Sequence, residues 1–254
     1  MRPPRRARNG RAGVTARRLA VRELDGDDGG VSDDAPAPAY PPAPWLLHGR
    51  ALCSVFRVPQ HAVPGLESLP PGHRPVRVGS DVVAGLALVH YAPGGTLSYD
   101  ELVTAVLTRP TRRLGLRLTV PQIWVTSDAS VAGGRALWGI PKERCTVTRP
   151  DGPGLLGAEV AAEDRPVARL AAVVGREVLP RFPVTVVTAQ RGEGSAVVAR
   201  HRVQARVHTL RARWRIPADG PLGHLAGRRP LLSVALTGMT AVFGRETSIA
   251  STDE

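Results

Sequence analysis

Residues 134–143 read Gly-Arg-Ala-Leu-Trp-Gly-Ile-Pro-Lys-Glu and include Lys142, the only lysine of a 254-residue chain. The other 33 of its 34 lysine and arginine residues are arginine. An arginine guanidinium stays protonated and cannot attack a carbonyl, whereas a buried lysine can lose its proton and do so. A lysine kept among so many arginines therefore indicates a reactive amine, with a chance surface lysine as the alternative.

The neighbours of Lys142 favour the reactive amine. Pro141 stiffens the backbone immediately before the lysine. Trp138 and Ile140 offer apolar surface, and such surroundings favour the neutral amine by desolvation. We therefore expect Lys142 to form a Schiff base with a carbonyl substrate.

On both sides of this segment, short stretches rich in Val, Leu, Thr and Ala are separated by Gly/Pro turns, which is typical of β-strands. Two short helices are predicted, at Ser130–Leu137 and Leu222–Ala226. The pattern favours a mainly β (α+β) fold, a single antiparallel barrel or curled sandwich with a few short helices. The predicted strands are Leu46–Val58, Val76–Tyr91, Tyr99–Thr108, Arg117–Thr126, Thr146–Thr148, Leu155–Ala162, Val167–Val174, Val184–Gln190, Ala196–Trp214 and Leu231–Val242.

Both ends of the chain are expected to lie outside this domain. Residues 1–39 are first arginine-rich and then acidic, and they contain no aromatic residue, so they cannot bury a core. We predict a disordered tail over residues 1–39, one β domain over residues 40–246, and a disordered end over residues 247–254.

The net charge of +12 belongs mainly to the predicted domain. Residues 1–39 hold 8 arginines and 6 acidic residues, a balance of +2, which leaves +10 for residues 40–254. Such a surface can steer small anionic substrates or bind nucleic acid. An aromatic content of 4% argues against the base-stacking platforms of nucleic-acid-binding proteins, so nucleic acid is not the partner we expect.

Other function classes have little support in the composition. No run of 18 apolar residues and no apolar signal segment occurs, so neither a membrane span nor secretion is expected. The two cysteines, Cys53 and Cys145, are far apart and read as reduced residues of a cytoplasmic protein. The seven histidines show no metal-ligand spacing, and we expect no metal and no cofactor.

Three segments, taken in order, resemble the acetoacetate decarboxylase family. That family has a Gly-Arg-Glu segment followed by Pro-Lys-Lys, and this chain has Gly134-Arg135-Ala136 and Pro141-Lys142-Glu143 at the same separation. Upstream, His48-Gly49-Arg50 matches an arginine at the start of the family's first core strand. Between them, Tyr99-Asp100-Glu101 matches a Tyr-x-Glu segment that supplies an active-site glutamate. The resemblance covers most of residues 41–244.

The resemblance implies a cone-shaped antiparallel barrel with the lysine inside, usually in a homo-oligomer. It makes Lys142 the Schiff-base amine, Glu101 a proton shuttle, and Arg50 the group that binds the substrate carboxylate. Two positions depart from the family pattern. Ala136 replaces a glutamate, and Glu143 replaces the second lysine, a cation that would help to activate the amine.

Three functions follow as hypotheses. The first is a lyase that decarboxylates a small β-keto acid through an iminium on Lys142. The second is an aldolase or aldolase-dehydratase that uses the same lysine on an oxo acid and an aldehyde, and the loss of the second lysine gives it weight. The third is a non-enzymatic basic β-barrel that binds nucleic acid or a small ligand.

Overall fold

The structure, a computed structural model, describes residues 39–149 and 156–250. The predicted tail over residues 1–39 lies outside the described residues except for Ala39, and so do residue 155 of the predicted strand Leu155–Ala162 and residues 251–254. No helix in the described part of the chain is both long and apolar enough to cross a membrane. The prediction of a mainly β fold is confirmed, because nearly all regular structure belongs to one sheet.

Twelve strands and one α-helix, α1 (Asp128–Trp138), form the described part of the chain. Short 3₁₀ helices lie at Gln60–Ala62, Leu66–Ser68 and Gly223–Leu225. The strands are β1 (Trp45–Pro59), β2 (His73–Pro75), β3 (Arg77–Val78), β4 (Asp81–Ala92), β5 (Tyr99–Pro110), β6 (Arg117–Val125), β7 (Lys142–Arg144), β8 (Thr146–Thr148), β9 (Leu156–Ala162), β10 (Arg165–Arg191), β11 (Ala196–Arg215) and β12 (Leu232–Ala250).

Most predicted strands match, and three differences have physical reasons. The predicted strand from residue 76 is divided by a turn at Gly79, whose φ is 65°. Strand β10 joins two predicted strands, because its exposed middle keeps its pairing with β11 through three bulges. Strand β12 reaches Ala250, beyond the predicted domain end at residue 246, because it pairs with β11.

The strands follow the order β7-β6-β5-β4-β1-β12-β11-β10-β9-β8, and their pairings are antiparallel except at two places. Strand β7 runs parallel to β6. Strand β10 also makes a parallel contact with β6, where Thr188 faces Leu118. Through this contact β10, which is near one end of the strand order, also meets β6, which is near the other end.

The alternation of side chains along β1, β4 and β5 separates two cores, one on each side of the sheet. Even-numbered residues of β1 and β4 enter one core, and odd-numbered residues enter the other. The first core includes Leu52, Leu86, Leu102, Trp124 and Leu170. The second core includes Leu47, Val89, Tyr99, Ile123 and Trp138. The second core is the one that α1 joins, since Trp138 packs edge-on against Trp45 at a ring separation of 4.8 Å.

Candidate active site

Helix α1 begins and ends with local signals that its sequence supplies. The side chain of Ser127 caps the helix by accepting a hydrogen bond from the Ser130 N–H at 3.2 Å. At the other end, Gly139 has a left-handed φ of 64°, and its N–H donates to the carbonyl of Arg135. The helix therefore stops immediately before the lysine segment.

The chain then reverses and carries Lys142 back beneath the helix. Pro141 cannot continue a helix, and Lys142 enters β7 opposite Ile123 of β6. The lysine side chain passes so close to Gly134 that a Cβ there would lie 2.6 Å from the lysine Cδ. The glycine of the Gly-Arg segment thus leaves the space that the lysine stem occupies.

Three side-chain oxygens surround the amine of Lys142. Its Nζ donates to Ser130 Oγ at 2.9 Å, to Glu101 Oε2 at 3.1 Å and to Tyr99 OH at 3.2 Å. Lys142 is 4% exposed and Glu101 is 7% exposed, so water competes little for these bonds. An ammonium has three N–H donors, and here each has one acceptor.

Strand periodicity brings Tyr99 and Glu101 to the lysine together. They are two residues apart on β5, so their side chains point to the same side of the sheet. Tyr99 OH also donates to Glu101 Oε2 at 3.4 Å. The amine, the phenol and the carboxylate form one buried hydrogen-bonded group.

The charge of Glu101 decides the protonation state of the resting amine. Burial lowers the pKa of Lys142, but the nearby Glu101 carboxylate and the Tyr99 hydroxyl raise it, and the net direction is upward. Desolvation by itself was expected to favour the neutral amine. Instead, the resting site holds an ammonium paired with a carboxylate, and the amine becomes nucleophilic only after it gives up a proton.

Two further groups near the amine stay neutral at pH 7. Burial raises the pKa of Tyr99 to about 12, so its phenol keeps a proton that it can donate. Burial, with the Lys142 charge as a second cause, lowers the pKa of His201 to about 4. The His201 Nδ1 accepts from the Gly244 N–H at 3.1 Å, which leaves Nε2 to donate to Thr188 Oγ1 at 2.9 Å.

Arg50, predicted to bind the substrate carboxylate, does not lie with Lys142. It faces His90 across β1 and β4, on the side of the sheet that carries the first core. Its near neighbours include Arg149, which forms an ion pair with Asp100. Lys142 is on the other side of the sheet. The family resemblance predicted that Arg50 lies on the first core strand, and β1 does contain it. Arg50 is nevertheless not a neighbour of the Lys142 amine in this structure.

Both departures from the family pattern lie at the surface. Glu143 is exposed, because it follows Lys142 on an extended strand and points the opposite way. Ala136 is exposed on the outer side of α1. The carboxylate that does raise the pKa of Lys142 is Glu101, from a distant part of the sequence.

The sequence did not single out Ser130 or assign a role to Tyr99. Spacing in the sequence nevertheless relates both residues to the predicted site. Ser130 precedes Gly134 by four residues, so the two lie on one face of α1, and Tyr99 shares a strand face with Glu101. Among the described residues, no group of three or more His, Cys, Asp or Glu side chains could hold a metal ion.

A protein-family model described as acetoacetate decarboxylase (ADC) matches residues 33–219 of this chain. No curated protein sequence matches the chain significantly.

Solved structures of the same kind share the fold. An acetoacetate decarboxylase from Legionella pneumophila has a TM-score of 0.66 at 15% identity, over 87% of this chain and 93% of its own. The enduracididine biosynthesis enzyme MppR, complexed with the condensation product of pyruvate and imidazole 4-carboxaldehyde, has a TM-score of 0.60 at 19% identity, over 84% and 92%. An acetoacetate decarboxylase-like enzyme from Sphingomonas wittichii RW1 has a TM-score of 0.57 at 15% identity, over 88% and 99%.

Proposed function

Because this chain belongs to the acetoacetate decarboxylase family, we propose that it is a carbon–carbon lyase that forms a Schiff base between Lys142 and a small oxo acid. One observation carries the proposal: the only lysine is buried, with the carboxylate of Glu101 3.1 Å from its amine. A buried amine beside a proton acceptor is what imine formation requires.

The first step is transfer of a proton from the Lys142 ammonium to Glu101. The neutral amine then attacks the ketone carbon of the substrate and forms the C–N bond. Glu101 and the neutral phenol of Tyr99 move the protons that let the carbonyl oxygen leave as water, which yields the iminium. Ser130 Oγ, at 2.9 Å, holds Nζ in place while the other two groups exchange protons.

For a β-keto acid, the iminium nitrogen accepts the electron pair of the bond that breaks. The carboxylate leaves as CO2, and an enamine remains on Lys142. Protonation of the enamine carbon by Glu101 or Tyr99 restores an iminium, and water hydrolyses it to the ketone and the free amine. The reaction is balanced with no cofactor.

Aldol chemistry is the second candidate, and one comparison favours it. MppR, which shares the fold, was solved with the condensation product of pyruvate and an aldehyde. An enamine on Lys142 could likewise attack an aldehyde carbon instead of taking a proton. Both candidates act on an oxo acid with a carboxylate, so the position of Arg50 does not distinguish them, and its predicted role in binding that carboxylate stays a prediction.

We also propose that the sheet closes into a cone around the lysine. The parallel contact between Thr188 of β10 and Leu118 of β6 supports this closure. A cytoplasmic location stays a prediction.

Borohydride trapping tests the shared chemistry. The protein is incubated with acetoacetate or with pyruvate, reduced, and its intact mass measured. Because Lys142 is the only lysine, an adduct lies there or on the N-terminal amine, and the Lys142→Arg variant removes only the first of these. We expect an adduct on the native protein that the variant lacks.

The absence of any Lys142-dependent adduct with a panel of oxo acids would contradict both enzyme hypotheses. If the adduct forms, released CO2 identifies the decarboxylase. A condensation product that appears only when an aldehyde is added identifies the aldolase.

A further inference from the structure

A second candidate site is a cleft of about 240 Å3 at the opposite end of β5 and β6 from Lys142. We call it the arginine cleft and define it by Arg112, Arg113, Arg117, Arg200 and Glu246. The first two lie in the loop between β5 and β6. Arg117 opens β6, Arg200 lies on β11, and Glu246 lies on β12.

Among the residues that the structure describes, those lining the arginine cleft carry an excess of positive charge. Glu246 is the one acidic side chain among the described residues of this lining, and it pairs with Arg200 at 3.4 Å. In the part of the chain that the structure describes, Arg112 and Arg113 make no ion pair or hydrogen bond. Burial and the proximity of Arg200 both lower the pKa of Arg117, as expected where cations are crowded together.

The arginine cleft is separate from the amine of Lys142. Arg117 lies at the start of β6 and Val125, which faces Glu101, at its end. Eight residues along a strand correspond to about 25 Å. A small oxo acid bound at Lys142 cannot reach the arginine cleft, so a ligand of the cleft would be a separate molecule.

The chemistry of the arginine cleft points to phosphate groups. Four guanidinium groups that line one cleft offer more donors than a single carboxylate can use, and they suit the closely spaced oxygens of linked phosphates. Apart from His73, the described side chains of the cleft lining offer no aromatic ring on which a base could stack, which disfavours single-stranded nucleic acid.

We propose that the arginine cleft binds a small ligand through a diphosphate group, either free pyrophosphate or the diphosphate of a nucleotide. Isothermal titration calorimetry with inorganic pyrophosphate and with ADP tests this on the full chain. We expect one pyrophosphate or ADP per chain. Binding of both ligands indicates that the diphosphate alone is recognised, and clearly tighter binding of ADP indicates a nucleotide.

The matched variants remove equal charge at two places. Arg112→Ser with Arg113→Ser alters the cleft, and Arg211→Ser with Arg229→Ser removes two exposed arginines elsewhere. Loss of charge-assisted hydrogen bonds should weaken binding by about tenfold or more in the cleft variant only. Circular dichroism and thermal unfolding verify that both variants fold.

Four results would overturn the proposal. The first is no measurable binding of either ligand, and the second is an equal loss of affinity in both variants. The third is sulfate or orthophosphate that binds as tightly as pyrophosphate. The fourth is a single-stranded oligonucleotide that displaces pyrophosphate at a lower concentration than ADP does. The second and third would reduce the cleft to a general anion surface. The fourth would make it a nucleic-acid surface.

Discussion

At the residue scale, the protonation of Lys142 depends on one carboxylate. A buried ion pair that loses one partner leaves the other charged and without compensation, at a cost of about 3–5 kcal/mol. The raised pKa of Lys142 means that its pairing with Glu101 stabilises the fold at pH values below about 10, the ordinary lysine value. This contribution is lost as the pH rises through the folded-state pKa.

Glu101→Gln should lower the pKa of Lys142, because burial then acts without the opposing carboxylate. We expect borohydride trapping to persist to lower pH than in the native protein, while turnover falls about 10²–10⁴-fold through loss of the proton shuttle. Trapping and steady-state rates between pH 5 and 9 measure the two effects. The exposed Glu143→Gln is the matched control and should change neither; equal effects of the two substitutions would contradict the role of Glu101.

Gly134→Ala should displace the amine without unfolding the protein. The added methyl would meet the Cδ and Cε of Lys142 at 2.6 and 2.8 Å, and this flexible stem can move. Alanine also favours a helix over glycine by about 1 kcal/mol. We expect a folded protein with a lower melting temperature, because the displaced amine loses buried hydrogen bonds that outweigh this helix gain, together with at least about a tenfold loss of trapping rate. A trapping rate equal to that of the native protein would show that the Lys142 side chain accommodates the added methyl without displacing its amine.

At the element scale, two serines at the start of α1 have different roles. Ser127 caps the helix, whereas Ser130 lies one turn further in and bonds to the amine. Serine at a cap and serine facing a lysine look alike in sequence. Only the position of β7 beneath the helix distinguishes them.

Ser127→Ala and Ser130→Ala form a matched pair. Loss of the cap should cost about 0.5–2 kcal/mol, and loss of a buried acceptor should cost about 1–3 kcal/mol, so both variants melt earlier. Of the two variants, only Ser130→Ala should slow imine trapping with oxo acids, because Ser130 and not Ser127 contacts Nζ. An unchanged trapping rate in Ser130→Ala would limit Ser130 to a structural role.

At the scale of the whole molecule, the middle of β10 exposes apolar side chains. Strand β9 covers only Arg165–Ala172 on one edge, and the following stretch exposes Val173, Val178, Leu179, Phe182 and Val184. An exposed strand of this kind is a site for pairing with another chain. It supports the prediction, first made from the family resemblance, that the protein is a homo-oligomer.

Val178→Asp with Phe182→Asp should break such an assembly. We expect light scattering to give a mass above the 27.0 kDa of one chain for the native protein and a mass near one chain for the variant. Leu114→Asp changes a loop leucine that is 99% exposed and serves as the control. A native protein that is a monomer at all concentrations would disprove the prediction.

From its sequence, the chain reveals most of its strands and the end of α1, and it makes Lys142 the lysine to test. These are local properties: alternation sets a strand, Gly139 and Pro141 end a helix, and a unique lysine can be counted. Tyr99 and Glu101 were also predictable as neighbours, because two residues along a strand always share a face.

Which of these residues meet depends on how the strands pair and on where the helix packs. Arg50 and Lys142 appear in the family's order, yet the register of β1 against β4 puts Arg50 with His90, on the other side of the sheet. Ser130 and Glu101 reach the amine from separate elements. Because side chains on neighbouring positions of a strand point to opposite faces, pairing register determines which core a residue enters, and the order of residues in the chain does not carry that information.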